Sequence, residues 1–425
     1  MTDSPALQPM AYVCVVSGYN LPELESCLTR RPSDVLLVTS DGLRDAARRL
    51  QQRLEKVLPG VQVHPLDQGS TGRPLGGDDV IEAQHWIDAV LRPRLLQPDL
   101  GDRPHILNLT GGTKAMIAAL LDGHAWQQLD YKAIGQAELQ ILRPLPEQRF
   151  ELLERRALID VGPLDVAALH ADHVFADPPN PILLRHPQAS LELARAIWQA
   201  QAQTDAPLQR LFESLEWVWV HRRDDSQLRR KQVRLDWSDF LRADTSPTEE
   251  LQDWLRCLQK LEPKALHWDA TGIELPGNNP RKAHRDLRDW ISGIWLEQLA
   301  HHWLREAGIP ETAIARNLKS GNEQRQSASQ READLLVHQR GNTHLVEIKA
   351  GLPPGHAPGE LENQVSSLGS RFGRTRKALL VSPQLRRQLQ NQERWENFEL
   401  RCQANDVRLL ASREGLLDFI RRRSG

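Results

Sequence analysis

The chain has only four cysteines in 425 residues, Cys14, Cys27, Cys257 and Cys402, and no CxxC pair among them. A structural zinc site needs closely spaced thiolates, and a disulfide-stapled secreted domain needs many more sulfurs, so both classes are excluded. Net charge is nearly absent too: 54 Lys and Arg against 56 Asp and Glu leave −2 at pH 7. No whole-molecule field draws such a chain to DNA, RNA or an anionic membrane, and any nucleic-acid site must be a local basic patch. No apolar run approaches the ~20 residues that cross a bilayer. The N-terminal MTDSPALQPMAY lacks the basic region and apolar core of a signal peptide. The expectation is a cytoplasmic protein with no membrane partner. Internal repeats and low-complexity tracts are missing. So are the GxxxxGK[ST] of a P-loop and a GxGxxG after the first strand, which removes the ATPase and dehydrogenase readings.

At this length one hydrophobic core rarely suffices, and two or three domains are expected. In the first third, YVCVVS (12–17), DVLLVTS (34–40) and HILNLT (105–110) read as buried strands. Residues 43–57 and 79–96 read as amphipathic helices, an alternation that predicts a parallel sheet with crossover helices. AELQILRPLP and FELLERRALIDVG add strands to that sheet or cover its edge, and the proline-rich ADPPNPILLRHP (176–187) reads as a linker. Between 188 and 265 lie helical patterns around one strand-like stretch, EWVWVHRR. Nine of the twelve tryptophans fall between residues 198 and 303, which predicts a core belonging to this region alone. After 266 the pattern is strand, long helix, strand, strand, helix, strand, a second α/β unit. The division is therefore 1–150, a mostly helical connector over 151–265, and 266–425.

Chemistry concentrates in two places. READLLVHQ carries Asp334, a turn at Arg340–Asn342 folds the chain back, and THLVEIKAG carries Glu347 and Lys349. Residues two apart on a strand share a face, so Glu347 and Lys349 point together while Val346 and Ile348 pack behind, and the hairpin brings Asp334 beside Glu347. An E-x-K on a strand is often only a same-face ion pair. Here apolar flanks, an acid on the adjacent strand and Glu297 on the preceding helix favour chemistry. That helix spans 286–306, with Leu287, Ile291, Trp295, Leu299 and Trp303 as its apolar stripe. Carboxylates with the backbone carbonyl of Ile348 make a hard-oxygen site suited to Mg²⁺ or Mn²⁺, whose Lewis acidity suits phosphodiester hydrolysis. Arg371, Arg374, Arg376, Lys377, Arg386 and Arg387 are natural phosphate contacts nearby. The second place is TGGTK (110–114), a strand-to-helix turn. Its unpaired N–H groups, with Gly111 and Gly112 allowing close approach and Lys114 adding charge, form an anion site.

The D-x(12)-E-x-K pattern over residues 266–410 resembles the PD-(D/E)xK nuclease superfamily. That resemblance implies a restriction-endonuclease-like fold, with Asp334 and Glu347 as metal ligands, Lys349 as catalytic lysine and Glu297 as a supporting helical acid. Glu332 is a further ligand candidate, Gln364 a supporting polar residue, and Ala333 replaces the proline of the pattern. Asn108, Thr110, Gly111, Gly112, Thr113, Lys114 and Met116, within residues 10–145, resemble the CARF domain, a CRISPR-associated Rossmann-like fold that binds cyclic oligoadenylates. Loops Ser17–Asn20 and Thr39–Asp41, Ser40 included, then complete the pocket, as ligands of open α/β sheets bind at carboxyl strand ends, and the insertion 68–79 closes over it. The pairing of the two resembles CRISPR-associated ancillary nucleases. It implies a homodimer activated by cyclic tetra-adenylate that cleaves DNA, RNA or both in type III CRISPR antiviral defence. Two rivals are a nucleotide-sensing DNA-binding regulator without catalysis and a constitutive restriction or repair endonuclease.

Overall fold

Strands β1 (Gln8–Val15), β2 (Pro32–Val38), β3 (Gln62–Leu66), β4 (His105–Asn108) and β5 (Gln128–Tyr131) pair in parallel in the computed structural model, in the order β3-β2-β1-β4-β5. Side-chain alternation sends Val13 and Val15 to one face and Tyr12 and Cys14 to the other, and both faces are covered. Helices Leu21–Arg30 and Arg44–Val57 bury Leu24, Cys27, Leu50 and Leu54 on one side. Helices Val80–Trp86 and Lys114–Gly123 bury Trp86, Met116 and Leu120 on the other. Strand order reverses at β1, the place where open α/β sheets leave a crevice at their carboxyl ends. The two predicted extra strands are β6 (Glu138–Leu145) and β7 (Arg149–Ala157), an antiparallel hairpin that extends the sheet beyond β5. Cys14 and Cys27, 13 residues apart, meet across the strand–helix contact with their sulfurs 3.8 Å apart as free thiols.

The structure describes all residues except 1–5, 67–74, 76–77, 134, 172, 204–208, 213, 216–232, 240–247, 264–265, 276–281, 322–330, 352–360, 362, 364, 368–371, 373–374, 392–393 and 423–425. Gln364, Arg371, Arg374, all of EWVWVHRR and most of the insertion 68–79 lie outside the described residues.

Strand β8 (His173–Ala176) is followed by a small antiparallel sheet of β9 (Val233–Asp236), β10 (His267–Trp268) and β11 (Gly272–Leu275). The C-terminal sheet contains β12 (Ile314–Gly321), β13 (Arg331–Gln339), β14 (Asn342–Lys349), β15 (Thr375–Val381) and β16 (Val407–Leu410), in the order β16-β15-β14-β13-β12-β8. The tryptophan-rich middle does not keep a core of its own. Leu193, Ile197, Trp254 and Leu258 share one cluster with Trp290, Trp295, Leu335, Val337, Val346 and Ile348. The cause is the helix Pro187–Ala202, which lies on Trp295–Glu306 with Trp198 edge-on to Trp303 at 4.9 Å. The segment read as a linker contains the end of β8 and the helix Pro181–Arg185, whose Ile182 is fully buried in the same cluster. The helix expected over 286–306 is divided. It runs Lys282–Asp289, widens into a π-turn over Trp290–Ile294 and resumes as Trp295–Glu306, with Gly293 leaving helical geometry at the break.

Candidate functional site

The β13–β14 hairpin sets the first site. Its antiparallel pairs run from Gln339↔Asn342 to Leu335↔Val346, and one more step of that register puts Asp334 opposite Glu347. There the Asp334 carboxylate takes the place of a ladder bond: its Oδ2 accepts the Ile348 backbone N–H at 2.6 Å. Lys349 Nζ donates to Glu347 Oε1 at 2.6 Å and stands 3.9 Å from Asp334 Oδ2. Val346 and Ile348 point into the core behind, so alternation leaves Glu347 and Lys349 together on the opposite face.

Burial dominates the electrostatics. It pushes Glu347 up to about 8, with the charge of Asp334 adding to the rise. Asp334 is raised by burial and held back by Lys349 and the Ile348 N–H. Glu297 lies close enough for burial first, and then Asp334 and Glu332, to raise it well above an ordinary glutamate. Burial opposes the charge of Lys349, but Asp334 and Glu347 outweigh it and keep the ammonium above its usual value. Glu332 is raised by burial and pulled down by Lys319, whose ammonium is 3.6 Å away and also contacts Asp177. A cavity of about 460 Å³ borders Glu297, Asp177 and Asn317.

Among the described residues no three His, Cys, Asp or Glu groups stand in metal-ligating geometry; the Lys349 ammonium supplies the positive charge between the two strands. The donor chemistry nonetheless fits a divalent cation. The groups are hard oxygens, buried, and crowded with like charge that such a cation relieves.

The basic residues divide. β15 runs parallel to β14 with Thr343↔Thr375 and Lys349↔Val381, so Arg376 and Lys377 start the strand at the end away from Lys349. Four or five residues of strand separate them from it, roughly 13–17 Å. Arg376 donates to the carbonyls of Phe419 and Arg422, and Lys377 to that of Asn405. Their expected place beside this cluster is corrected: they start β15 at its opposite end. Arg387 also donates to a backbone carbonyl, that of Gln201. Arg386 follows Val381 by five residues, is exposed, and lies over the Trp395 ring at the same end as Lys349.

The second site gathers at the carboxyl ends of β1, β2 and β4. Asn108 is fully buried, and its Oδ1 accepts the Thr110 N–H at 2.9 Å. Thr110 Oγ1 accepts the Lys132 N–H at 3.0 Å, and Thr113 caps the helix by accepting the Met116 N–H at 3.2 Å. Ser17 and Asn20 form a closed turn, the Ser17 N–H donating to Asn20 Oδ1 at 2.8 Å, while Ser40 opens the turn Asp41–Leu43 beyond β2. Gly112 and Lys114 are exposed. The reason for Gly111 differs from the expected one. A Cβ there would stand 2.0 Å from the Val15 carbonyl oxygen and 2.4 Å from Glu23 Oε1, so the chain itself, rather than a ligand, takes that space.

Glu23 and Glu25 escaped the sequence reading. Both lie in LPELESCLTR, a helix with every residue buried, and two carboxylates in such a helix were the available signal. Burial pushes Glu23 up to about 8, and its Oε2 has no hydrogen-bond partner among the described residues. A carboxyl held above its unfolded value near 4.3 loses stability as pH rises from there to about 8, because the unfolded chain ionises first. Glu23→Gln is therefore expected to match wild type at pH 4 and to exceed it at pH 8 by about 1–3 kcal/mol, measured by urea unfolding at the two pH values. Equal stability at pH 8 would mean that Glu23 ionises freely.

No protein-family model matches the chain, and no curated protein matches it. Solved structures do. Can2 from Sulfobacillus thermosulfidooxidans, in complex with cyclic tetra-adenylate, aligns over 96% of both chains with a TM-score of 0.62 at 18% identity. Protein VC1899 from Vibrio cholerae aligns over 96% of both chains with a TM-score of 0.68 at 15% identity. This chain shares their overall fold. The α/β class read from the sequence is thus the observed one, and no helix among the described residues is long and apolar enough to cross a membrane.

Proposed function

We propose that this protein is a divalent-metal-dependent nuclease of the PD-(D/E)xK type, allosterically activated by a cyclic oligoadenylate in type III CRISPR antiviral defence. The observation that carries the reading is the meeting of Asp334, Glu347 and Lys349 at the open end of one hairpin, with Glu297 in electrostatic reach. Asp334, Glu347 and the Ile348 carbonyl would hold Mn²⁺ or Mg²⁺, with Glu297 and Glu332 beside them, and the bound cation would supply Lewis acidity toward a phosphodiester. Lys349 remains charged there and neutralises negative charge building on the phosphate. Among the described residues, Arg386, exposed at the same end, would meet a nucleic-acid backbone.

The sensing half rests on the crevice formed by Ser17, Asn20, Ser40, Asn108 and residues 110–114. Support comes from the fold shared with Can2, which is bound to cyclic tetra-adenylate, and the same ring is proposed as activator here. A second copy of the chain is the proposed partner. β7 is an edge strand whose Phe150 and Leu152 are nearly half exposed, and a two-fold pair of sheets suits a symmetric ring.

The deciding test is cleavage of labelled single-stranded DNA, single-stranded RNA and plasmid with Mn²⁺ or Mg²⁺, with and without cyclic tetra-adenylate. Cutting that requires both metal and ring is the expected result, and the substrate cut defines DNA or RNA specificity. Cutting without the ring would replace the switch with a constitutive nuclease. Binding of ring and DNA with no cutting under any metal would leave a regulator.

A further inference from the structure

The turn of the β13–β14 hairpin, at the far end from Asp334 and Glu347, packs against the segments that follow β5 and β7 of the N-terminal sheet. Arg340 and Gly341 turn the chain with φ of 51° and 73°. The Arg340 N–H donates to Asp160 Oδ1 at 2.9 Å, and Asn342 Nδ2 to the Gly135 carbonyl at 3.4 Å. Gly341 packs so closely that a Cβ would stand 2.6 Å from the Gln136 carbonyl oxygen and 3.5 Å from Lys132 Nζ. Just behind the turn is a charged cluster sealed from water. Glu25 and His338 are 0% exposed and Lys132 is 2%. Lys132 Nζ is 2.8 Å from Glu25 Oε2, His338 Nε2 is 3.3 Å from Glu25 Oε1, and His338 Nδ1 is 2.9 Å from Thr343 Oγ1 on the paired strand.

Each member is tied to one of the two sites, Lys132 by a direct hydrogen bond and Glu25 and His338 through the elements that carry them. Lys132 donates its N–H to Thr110 of the candidate ligand loop, and Glu25 shares a helix with Glu23, which fills the space beside Gly111. His338 lies on β13 four residues from Asp334 and on the same face, roughly 13 Å along the strand. A buried ion pair is poorly suited to stabilising a fold compared with apolar packing, and such groups are well suited to holding two elements in one register. We propose that the β13–β14 hairpin is the lever that couples occupancy of the 110–114 loop to the Asp334, Glu347 and Lys349 cluster, pinned to the N-terminal sheet by Glu25, Lys132 and His338. This inference rests on the functional reading above and names the route of its regulation. A shift of the loop moves the Lys132 backbone and, through Glu25 and His338, the strand that carries Asp334.

The test uses the full chain and two mild variants, Thr343→Val, which deletes the hydroxyl beside His338, and Asp160→Ala, exposed, which deletes the acceptor for the turn. Cyclic tetra-adenylate affinity is measured by calorimetry, cleavage with and without the ring, and amide hydrogen exchange over 335–346 in both states. Expected are ring affinity within about threefold of wild type, stimulation by the ring reduced at least about tenfold, and loss of the ring-dependent exchange change that wild type shows in the hairpin. Melting curves identify a misfolded variant, and the exposed Asp160→Ala then decides. Full stimulation in both folded variants would overturn the lever. Wild type that neither binds the ring nor cuts would overturn the functional reading, and the lever with it.

Discussion

Glu347→Ala is expected to lower cleavage by roughly a thousandfold or more while the protein still folds and binds cyclic tetra-adenylate. The reason is local. Glu347 is 1% exposed, is the partner of the Lys349 ammonium, and faces Asp334 across the hairpin. Its removal takes away both an oxygen donor for the proposed cation and the group that orients the lysine. Lys349→Ala is expected to fall as far, because the positive charge at the phosphate disappears. Lys349→Arg is expected to restore little, since a planar guanidinium does not replace a compact ammonium between two carboxylates. Single-turnover cleavage at saturating ring and metal, beside ring affinity for each variant, separates chemistry from sensing. Retention of more than about a tenth of wild-type cleavage by Glu347→Ala would remove this cluster from the reaction and move the chemistry elsewhere.

What could be read from the chain, and what could not, follows from the distance over which each signal acts. Glu347 and Lys349 were legible because strand alternation acts over two residues, and Asp334 because a short turn fixes which strand it faces. The crevice was legible because parallel strands place their carboxyl ends at one edge. Arg376 and Lys377 were misplaced because following closely behind the helix expected to flank the site does not say at which end of β15 they sit; the parallel pairing of β14 and β15 does. The tryptophans between 198 and 303 suggested a separate core, whereas helix packing joins the described ones to β13 and β14, a contact with no local trace in the sequence. Glu25 and His338 are 313 residues apart, and no spacing rule connects them.

Gly111→Ala is expected to be the most damaging single-methyl addition in the candidate ligand loop. The new Cβ would lie 2.0 Å from the Val15 carbonyl oxygen, a backbone atom in the central strand, and 2.4 Å from Glu23 Oε1. β1 pairs with β2 on one side and β4 on the other, and Val15 itself pairs with Val38, so the strand cannot retreat without disturbing both neighbours. Overpacking of this kind costs about 1–3 kcal/mol where side chains can yield, and a fixed backbone acceptor places Gly111 at the upper end. Gly112→Ala is expected to cost less, about 1–2 kcal/mol: its φ is +78°, yet the atoms it meets most closely, Val15 Cγ1 at 2.5 Å and Val15 Cβ at 3.1 Å, belong to a side chain. Gly18→Ala, with nothing within 4 Å, is expected to stay within about 0.5 kcal/mol of wild type. Urea unfolding should rank the three in that order. Calorimetry then separates packing from sensing, since a displaced 110–114 loop should weaken cyclic tetra-adenylate binding at least about tenfold. Wild-type affinity in a destabilised Gly111→Ala protein would place the ring outside this loop, because the residue would then matter to the fold and not to the ligand.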